Sequence, residues 1–223
     1  MIDPGPLILT LKLAGATTLA LLVVGAPLAW WLATTRSPLK PAVEALTAMP
    51  LVLPPTVIGF YLLILMSPDA PIGAFWVKAT GDTLVFSFAG LLLASIIYSL
   101  PFMVQPLQAA FEAVGDGPME AAASLRASPL DAFFTVAAPL SARGFLTASI
   151  LTFAHTLGEF GVVLMVGGNI PERTKVVSIA IYEHVETLHY AEAHALSLIL
   201  LAFSFAALVV VYAVDRRGRR RAF

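Results

Sequence analysis

Two ionisable side chains lie one helical turn apart inside an apolar stretch of this sequence. His155 and Glu159 would share one face of a helix, with Thr152 and Thr156 nearby. An ionisable group in a lipid-embedded segment is costly, so it usually faces a bundle interior or a water-filled path. His155 and Glu159 are therefore either a structural pair that fixes the packing of helices or part of a pathway or gate. Direct anion binding by Glu159 is not expected, because its charge would repel the anion unless it were neutralised.

A second feature is the proline pair Pro54 and Pro55 in another apolar stretch. Proline frees a backbone carbonyl from its helical partner, which a membrane segment tolerates only where neighbours or water satisfy that carbonyl. The pair indicates either a kink that shapes a cavity or the geometry with which the chain enters a span.

Motifs of self-contained enzymes are missing from the sequence. No Gly-Lys dipeptide occurs, which excludes a Walker P-loop, and neither His-Glu-x-x-His nor Gly-x-Ser-x-Gly occurs. The chain has no cysteine, and we expect it to hold no metal and no cofactor of its own. A small intramembrane enzyme or scaffold using His155 and Glu159 is the alternative from another functional class.

The composition is that of a membrane protein. Apolar residues make up 59% of the 223 residues and charged residues 12%, against roughly 25% charged in soluble domains. Five stretches reach the length of about 20 residues that a helix needs to cross a bilayer. We predict an all-α integral membrane protein with one domain over residues 1–223. The predicted spans lie near residues 7–33, 48–66, 84–104, 144–166 and 193–214.

The basic residues predict the orientation, since they favour the cytoplasmic side. Nine fall on one side of a five-span chain and four on the other, which places the N-terminus outside and the C-terminus in the cytoplasm. The inner set is Arg36, Lys40, Arg126, Arg143, Arg216, Arg217, Arg219, Arg220 and Arg221, and the outer set is Lys12, Lys78, Arg173 and Lys175. Acidic and basic residues nearly cancel, so no nucleic-acid partner is expected.

The longest inner segment covers residues 105–143 and is predicted to form two short helices. Pro118 suits the first turn of one, and Ser128 is a plausible N-cap of the next, which Pro139 should end. The pair either lies on the membrane as an amphipathic loop or protrudes into a groove of a soluble partner.

The outer segment of residues 167–192 is predicted to contain a helix. Val177, Ile181, Val185 and Leu188 fall on one stripe of such a helix. It would act as an interfacial cap of the bundle, or alternatively as a gate or docking surface for an extracytoplasmic partner.

The inner segment resembles the EAA loop of binding-protein-dependent ABC importer permeases. Glu-Ala-Ala begins at Glu120, and a hydrophobic-x-hydrophobic-Pro pattern ends at Pro139, nineteen residues later, while Arg126 stands where the family usually has glycine. The resemblance implies the MetI-like permease fold with a cytoplasmic coupling helix. The implied ATPase-coupling residues are Glu120, Ala121, Ala122, Leu125, Arg126, Leu130, Phe133 and Pro139.

Within these importers the chain is most similar to the molybdate permeases. The similarity is carried by three segments, which begin at Leu51, Leu157 and Gly168, and by Ser178-Ile179-Ala180-Ile181-Tyr182. Molybdate is the implied cargo, with tungstate and sulfate or thiosulfate as alternatives in the same architecture. His155 stands where an arginine would be expected. The pathway or gate candidates are Thr152, His155, Thr156, Glu159, Pro54 and Pro55.

The resemblance also implies the partners and the mechanism. Two copies of the chain would form the pathway in the bacterial cytoplasmic membrane. Two cytoplasmic ATPase subunits, which bind ATP and Mg, would bind the EAA-type loops. An extracytoplasmic oxyanion-binding protein would deliver the cargo. ATP binding would then switch the pathway between inward-facing and outward-facing states.

Overall fold

A computed structural model describes residues 3–219, with side chains up to residue 213. Arg220 and Arg221 of the predicted inner set therefore lie outside the described residues. Every element in the described range is a helix. In chain order they are α1 Gly5–Thr34, α2 Lys40–Val52, α3 Pro55–Met66, α4 Pro71–Thr80, α5 Phe88–Glu112, α6 Asp116–Ser124, α7 Pro129–Ala132, a π-helical turn Phe133–Ala137, α8 Ala138–Leu140, α9 Ala142–Leu157, α10 Gly161–Gly167, α11 Val177–Glu186 and α12 Tyr190–Arg219.

Three helices are long and apolar enough to cross a membrane unaided, namely α1, α5 and α12. The predicted spans 7–33 and 193–214 coincide with α1 and α12. The predicted span 84–104 is shifted, because α5 begins at Phe88 and continues to Glu112. Its last two turns bury Leu107 and Phe111 against α1, so tertiary packing extends the helix into the segment that was predicted to be a loop.

The remaining two predicted spans are broken. Residues 48–66 do not form one helix, because α2 and α3 meet at an angle of 112° beside Pro54. Residues 144–166 are divided by Gly158–Phe160 between α9 and α10. Five candidate spans are reached only if two bent pairs are each counted as one, namely α2 with α3 and residues 129–140 with α9, the second bent by 74°. The chain therefore bends at the proline pair, while a continuous helix over the predicted fourth span is not observed.

The core lies around α5, which packs against α1 and α9 on one side and against α3 and α10 on the other. The first contact surface is a cluster of mostly small and branched side chains from α1, α5 and α9, with Trp30 and Phe133 packed against it. The second joins Ile58 and Leu62 of α3 to Val162 and Val166 of α10. Through these contacts α5 becomes the central support of both broken helix pairs.

The inner helices largely follow the local sequence signals. Pro118 lies in the first turn of α6, and the Ser128 hydroxyl accepts a hydrogen bond of 3.2 Å from the Asp131 amide at the start of α7. The prediction that Pro139 ends this segment is wrong, since helix continues to Leu140 and the turn comes at Ser141. A π-helical turn, Phe133–Ala137, lies shortly before Pro139.

On the predicted outer side, α4 was not expected from the sequence, whereas α11 was. The predicted apolar stripe of α11 is wrong, because Val185 and Leu188 are exposed. The buried face consists instead of Val177, Ile179 and Ala180, which contact α1, α10 and α12.

Candidate pathway and coupling sites

The two broken spans touch each other at their breaks. Pro55 begins α3 and Gly161 begins α10, and a β-carbon added to Gly161 would lie 2.7 Å from the Pro55 Cβ. Gly59, one turn further along α3, packs equally closely against Met165. The absence of side chains at both glycines therefore lets α3 and α10 run against each other from the point where each span is interrupted.

Glu159 lies in the second break and is almost fully buried, with 4% of its surface exposed. Its Oε2 accepts a hydrogen bond of 2.8 Å from the Ser95 hydroxyl of α5, while Oε1 has no hydrogen-bond partner among the described residues. Its backbone carbonyl accepts a hydrogen bond from the Ser178 hydroxyl of α11. The residue is thus held from two sides by different helices.

His155 lies in the last turn of α9 and does not pair with Glu159. Its ring stacks on Phe102 at a centroid distance of 3.9 Å, and Nδ1 lies 2.9 Å from the Ser99 hydroxyl. Sequence reasoning placed His155 and Glu159 on one helical face, which is wrong because α9 ends at Leu157. Both nevertheless reach α5, where Ser95 and Ser99 are one turn apart.

The hydrogen bonds around Ser99 determine the tautomer of a neutral His155. Thr156 donates its only hydroxyl proton to the Thr152 carbonyl at 2.9 Å, so it accepts from Ser99 across the 3.0 Å contact between them. Because the Ser99 hydroxyl donates its own proton to Thr156, it accepts a hydrogen bond from His155 Nδ1. The ring proton therefore lies on Nδ1 and the lone pair on Nε2.

The remaining predicted pathway residue on α9 is Thr152, which is fully buried and whose hydroxyl has no hydrogen-bond partner in the described range. Ser95 and Ser99 were missed by sequence reasoning. Their signal was available, because two serines four residues apart in an apolar helix mark one polar face. The sequence does not show that this face contacts Glu159 and His155, which are 64 and 56 residues away.

The predicted coupling residues divide into exposed and buried ones. Leu125 is 84% exposed and Leu130 is 73% exposed. Ala122 is buried. Glu120, Ala121 and Pro139 are exposed.

Phe133 points back into the bundle, with its ring 5.5 Å from Trp30 and 5.9 Å from Phe111. The neighbouring Phe134 is 67% exposed instead, and sequence reasoning missed it as a surface residue of the loop. Phe133 therefore anchors the inner helices to α1 and α5, and Phe134 extends the exposed apolar surface. We call Leu125, Leu130 and Phe134 the coupling surface.

Arg126 adopts a left-handed backbone conformation with φ of 61° between α6 and α7. L residues with a β-carbon rarely adopt this conformation, and glycine adopts it without strain. Its amide donates to the Ala123 carbonyl at 2.9 Å, and the next amide, of Ala127, donates to Ala122 at 3.1 Å. The turn between the inner helices is therefore the one a glycine would make, held here by an arginine.

Comparison with known proteins gives consistent matches over most of the chain. The sequence model of the family described as "binding-protein-dependent transport system inner membrane component" matches residues 25–220. The molybdenum transport system permease protein ModB of Azotobacter vinelandii is 59% identical over 208 residues, which cover 93% of this chain and 92% of that protein. The sulfate transport system permease protein CysT of Synechocystis is 32% identical over 200 residues, covering 90% and 70% of the two chains.

Among solved structures, an inward-facing conformation of the MetNI methionine ABC transporter is similar to this chain with a TM-score of 0.68. The match covers 94% of each chain at 18% sequence identity, which shows likeness of fold. The predicted MetI-like permease fold is confirmed.

Proposed function

The chain belongs to the family of binding-protein-dependent transport system inner membrane components, and we propose that it is the permease subunit of an ATP-driven importer of molybdate. The observation that carries the choice of cargo is the 59% identity to a molybdenum permease over nearly the whole of both chains. Identity to a sulfate permease is 32%, which supports sulfate as the weaker candidate. Tungstate, which resembles molybdate in size and charge, stays an alternative cargo of the same site.

The proposed transporter contains two copies of this chain, two cytoplasmic ATPase subunits and one extracytoplasmic binding protein. ATP and Mg are bound by the ATPase subunits, since this sequence has no P-loop. The distribution of basic residues supports a cytoplasmic position for α6 and α7 and an outer position for α11.

The coupling surface supports the attachment of the ATPase to the inner helices. Three large apolar side chains are left exposed there, at the end of α6, in α7 and in the π-helical turn, while Phe133 packs this segment against the bundle. Apolar anchors that fill a pocket of a partner are the usual basis of helix-in-groove recognition. Movement of the ATPase subunits would therefore be passed through α7 and Phe133 to α1 and α5.

The geometry around Glu159 supports a gating role rather than anion binding. Its carboxylate is buried, held by Ser95, and placed where the two broken spans meet. The alternative of an intramembrane enzyme would need Glu159 and His155 to act on one reacting atom. Instead, each side chain is bound by a different serine of α5.

The cargo is tested by uptake into proteoliposomes that contain the assembled transporter and its binding protein. We expect ATP-dependent accumulation of molybdate, with sulfate transported far more slowly. Equal transport of sulfate and molybdate would contradict the choice of cargo, and uptake without ATP would contradict the class of transporter.

The coupling role is tested by the substitution Leu130→Asp, which places a charge on the coupling surface. The substitution is expected to abolish copurification of the ATPase, since an unpaired charge in an apolar pocket is strongly unfavourable. Leu39→Asp is the matched control, because Leu39 is also an exposed leucine, 63% exposed, on the same predicted side. Retention of the ATPase by Leu130→Asp would refute the role of this surface.

A further inference from the structure

The break at Glu159 is joined to the outer helix α11 by direct contacts. The Ser178 hydroxyl, in the first turn of α11, donates to the Glu159 carbonyl at 2.5 Å. This carbonyl lies between α9 and α10, where no following turn of helix supplies a donor. A backbone carbonyl without a donor is costly in a membrane, so Ser178 supplies a partner that the broken span itself lacks.

A second contact fixes the same end of α11 to α1. Val177 is the first residue of α11, and its amide donates to the Thr10 hydroxyl oxygen at 2.8 Å. The amides of the first turn of a helix have no partner within that helix, and Thr10 of α1 accepts from one of them here. Thr10 and Val177 are both fully enclosed.

A third contact joins the residue after Glu159 to the middle of α11. The rings of Phe160 and Tyr182 lie with their centroids 5.1 Å apart. Beyond Tyr182 the helix emerges from the bundle, and Val185 and Leu188 are exposed. One end of α11 is therefore embedded beside the break, and the other end lies on the surface about 15 Å away, the length of a ten-residue helix.

We propose that Ser178 and Thr10 are positioning residues through which α11 links the outer surface of the permease to the break at Glu159. This inference rests on the proposed function, in which the binding protein contacts the outer surface. A displacement of the exposed end of α11 would be carried by a rigid helix to the Glu159 backbone. Since the Glu159 side chain is held by Ser95, the same displacement would reach α5, whose inner end packs with Phe133 of the coupling segment.

The experiment compares ATP hydrolysis by the assembled transporter with and without molybdate-loaded binding protein. Ser178→Ala is expected to lower the stimulation ratio about fivefold, the effect of losing one ordinary hydrogen bond from the coupled state. Ser178→Thr, which keeps a hydroxyl, should restore the ratio. Ser149→Ala is the matched control, because the Ser149 hydroxyl donates to the Phe145 carbonyl of its own helix and to no other group among the described residues.

Thr10→Val provides an independent variant with its own control. Thr10 and Thr18 are buried threonines of α1 that both donate to the carbonyl four residues earlier, but only Thr10 also accepts from α11. Thr10→Val should therefore lower the stimulation ratio about fivefold, and Thr18→Val should leave it unchanged.

Several results would overturn the link. One is an unchanged stimulation ratio in both Ser178→Ala and Thr10→Val. Another is an equal fall in stimulated and unstimulated ATP hydrolysis together with a lower unfolding temperature, because that combination indicates a merely structural role. If the unmodified transporter shows no stimulation at all, the proposed function fails first and the inference fails with it.

Discussion

Arg126 combines a charged, exposed side chain with a backbone conformation that suits glycine. A left-handed conformation costs an L residue about 1–2 kcal/mol, while glycine loses about 0.5–1 kcal/mol more conformational entropy on folding. The difference between these terms favours glycine at this turn. Arg126, which stands where glycine was expected, thus leaves the fold of the turn unchanged but introduces backbone strain.

Arg126→Gly is therefore expected to raise the free energy of unfolding by about 0.5–1 kcal/mol. Arg126→Val should lower it by more than 1 kcal/mol, because a β-branched side chain is the least tolerant of φ near 61°. Chemical unfolding of the purified protein in detergent measures both. Ala121→Gly in the middle of the neighbouring helix α6 is the control and should be destabilising, as glycine is in a helix interior. Equal loss of stability in all three variants would contradict the role of φ.

At the scale of elements, the contact between α3 and α10 depends on the missing side chain of Gly161. Adding a methyl group there brings it within 2.7 Å of the Pro55 Cβ, so the two helices must move apart. Because Pro55 and Gly161 each begin a helix directly after a break, separation of the two would alter both breaks together.

Gly161→Ala is expected to destabilise the protein by about 1–3 kcal/mol through overpacking. Gly15→Ala in α1 is the matched control, since a β-carbon there meets no atom within 4 Å and alanine favours helix by about 1 kcal/mol. Thermal unfolding of the two variants against the unmodified chain distinguishes them. A similar unfolding temperature for Gly161→Ala and Gly15→Ala would show that the contact at the breaks is not tight.

The outer end of α11 is fixed by an ion pair that depends on pH. Lys175 lies 2.7 Å from the Glu183 carboxylate, and the Asn169 amide donates to the same oxygen at 2.7 Å. Hydrogen bonds from Lys175 and then from Asn169 lower the pKa of Glu183 below its usual value of 4.5. Ionised Glu183 consequently stabilises the fold above pH 4.5, and this contribution is lost as the pH falls through the lowered pKa.

Glu183→Gln should therefore be less stable than the unmodified chain at pH 7, and the difference should disappear as the pH falls below 4.5. Unfolding temperatures measured at several pH values give the comparison. Glu120→Gln, whose carboxylate forms no ion pair among the described residues, is the control. A difference for Glu183→Gln that stays constant with pH would contradict the role of its charge.

At the scale of the whole molecule, the orientation in the membrane decides which face meets which partner. The chain has no cysteine, so labelling of a single introduced cysteine shows on which side of the membrane that position lies, without labelling of other cysteines in the chain. Ala79→Cys in α4 and Ala123→Cys in α6 are conservative choices, because both positions are exposed.

A membrane-impermeant maleimide added to intact cells is expected to label Ala79→Cys and to spare Ala123→Cys until the membrane is opened. The expectation follows from the excess of basic residues on the side of α6. Labelling of Ala123→Cys from outside would reverse the proposed orientation, and with it the assignment of the coupling surface and α11 to their partners.

The amino-acid sequence by itself determined the class of the protein and much of its local structure. Long apolar stretches with few charges can only be helices in lipid, and local signals such as Ser128 and Pro118 mark the starts of the inner helices because capping involves residues within one turn. Only the tertiary structure decided where the spans break, that Ser95 and Ser178 hold Glu159, and that Phe133 packs against the bundle while Phe134 is exposed. These features depend on contacts between helices that are distant in sequence, and the periodicity of one helix carries no information about which helix it will meet.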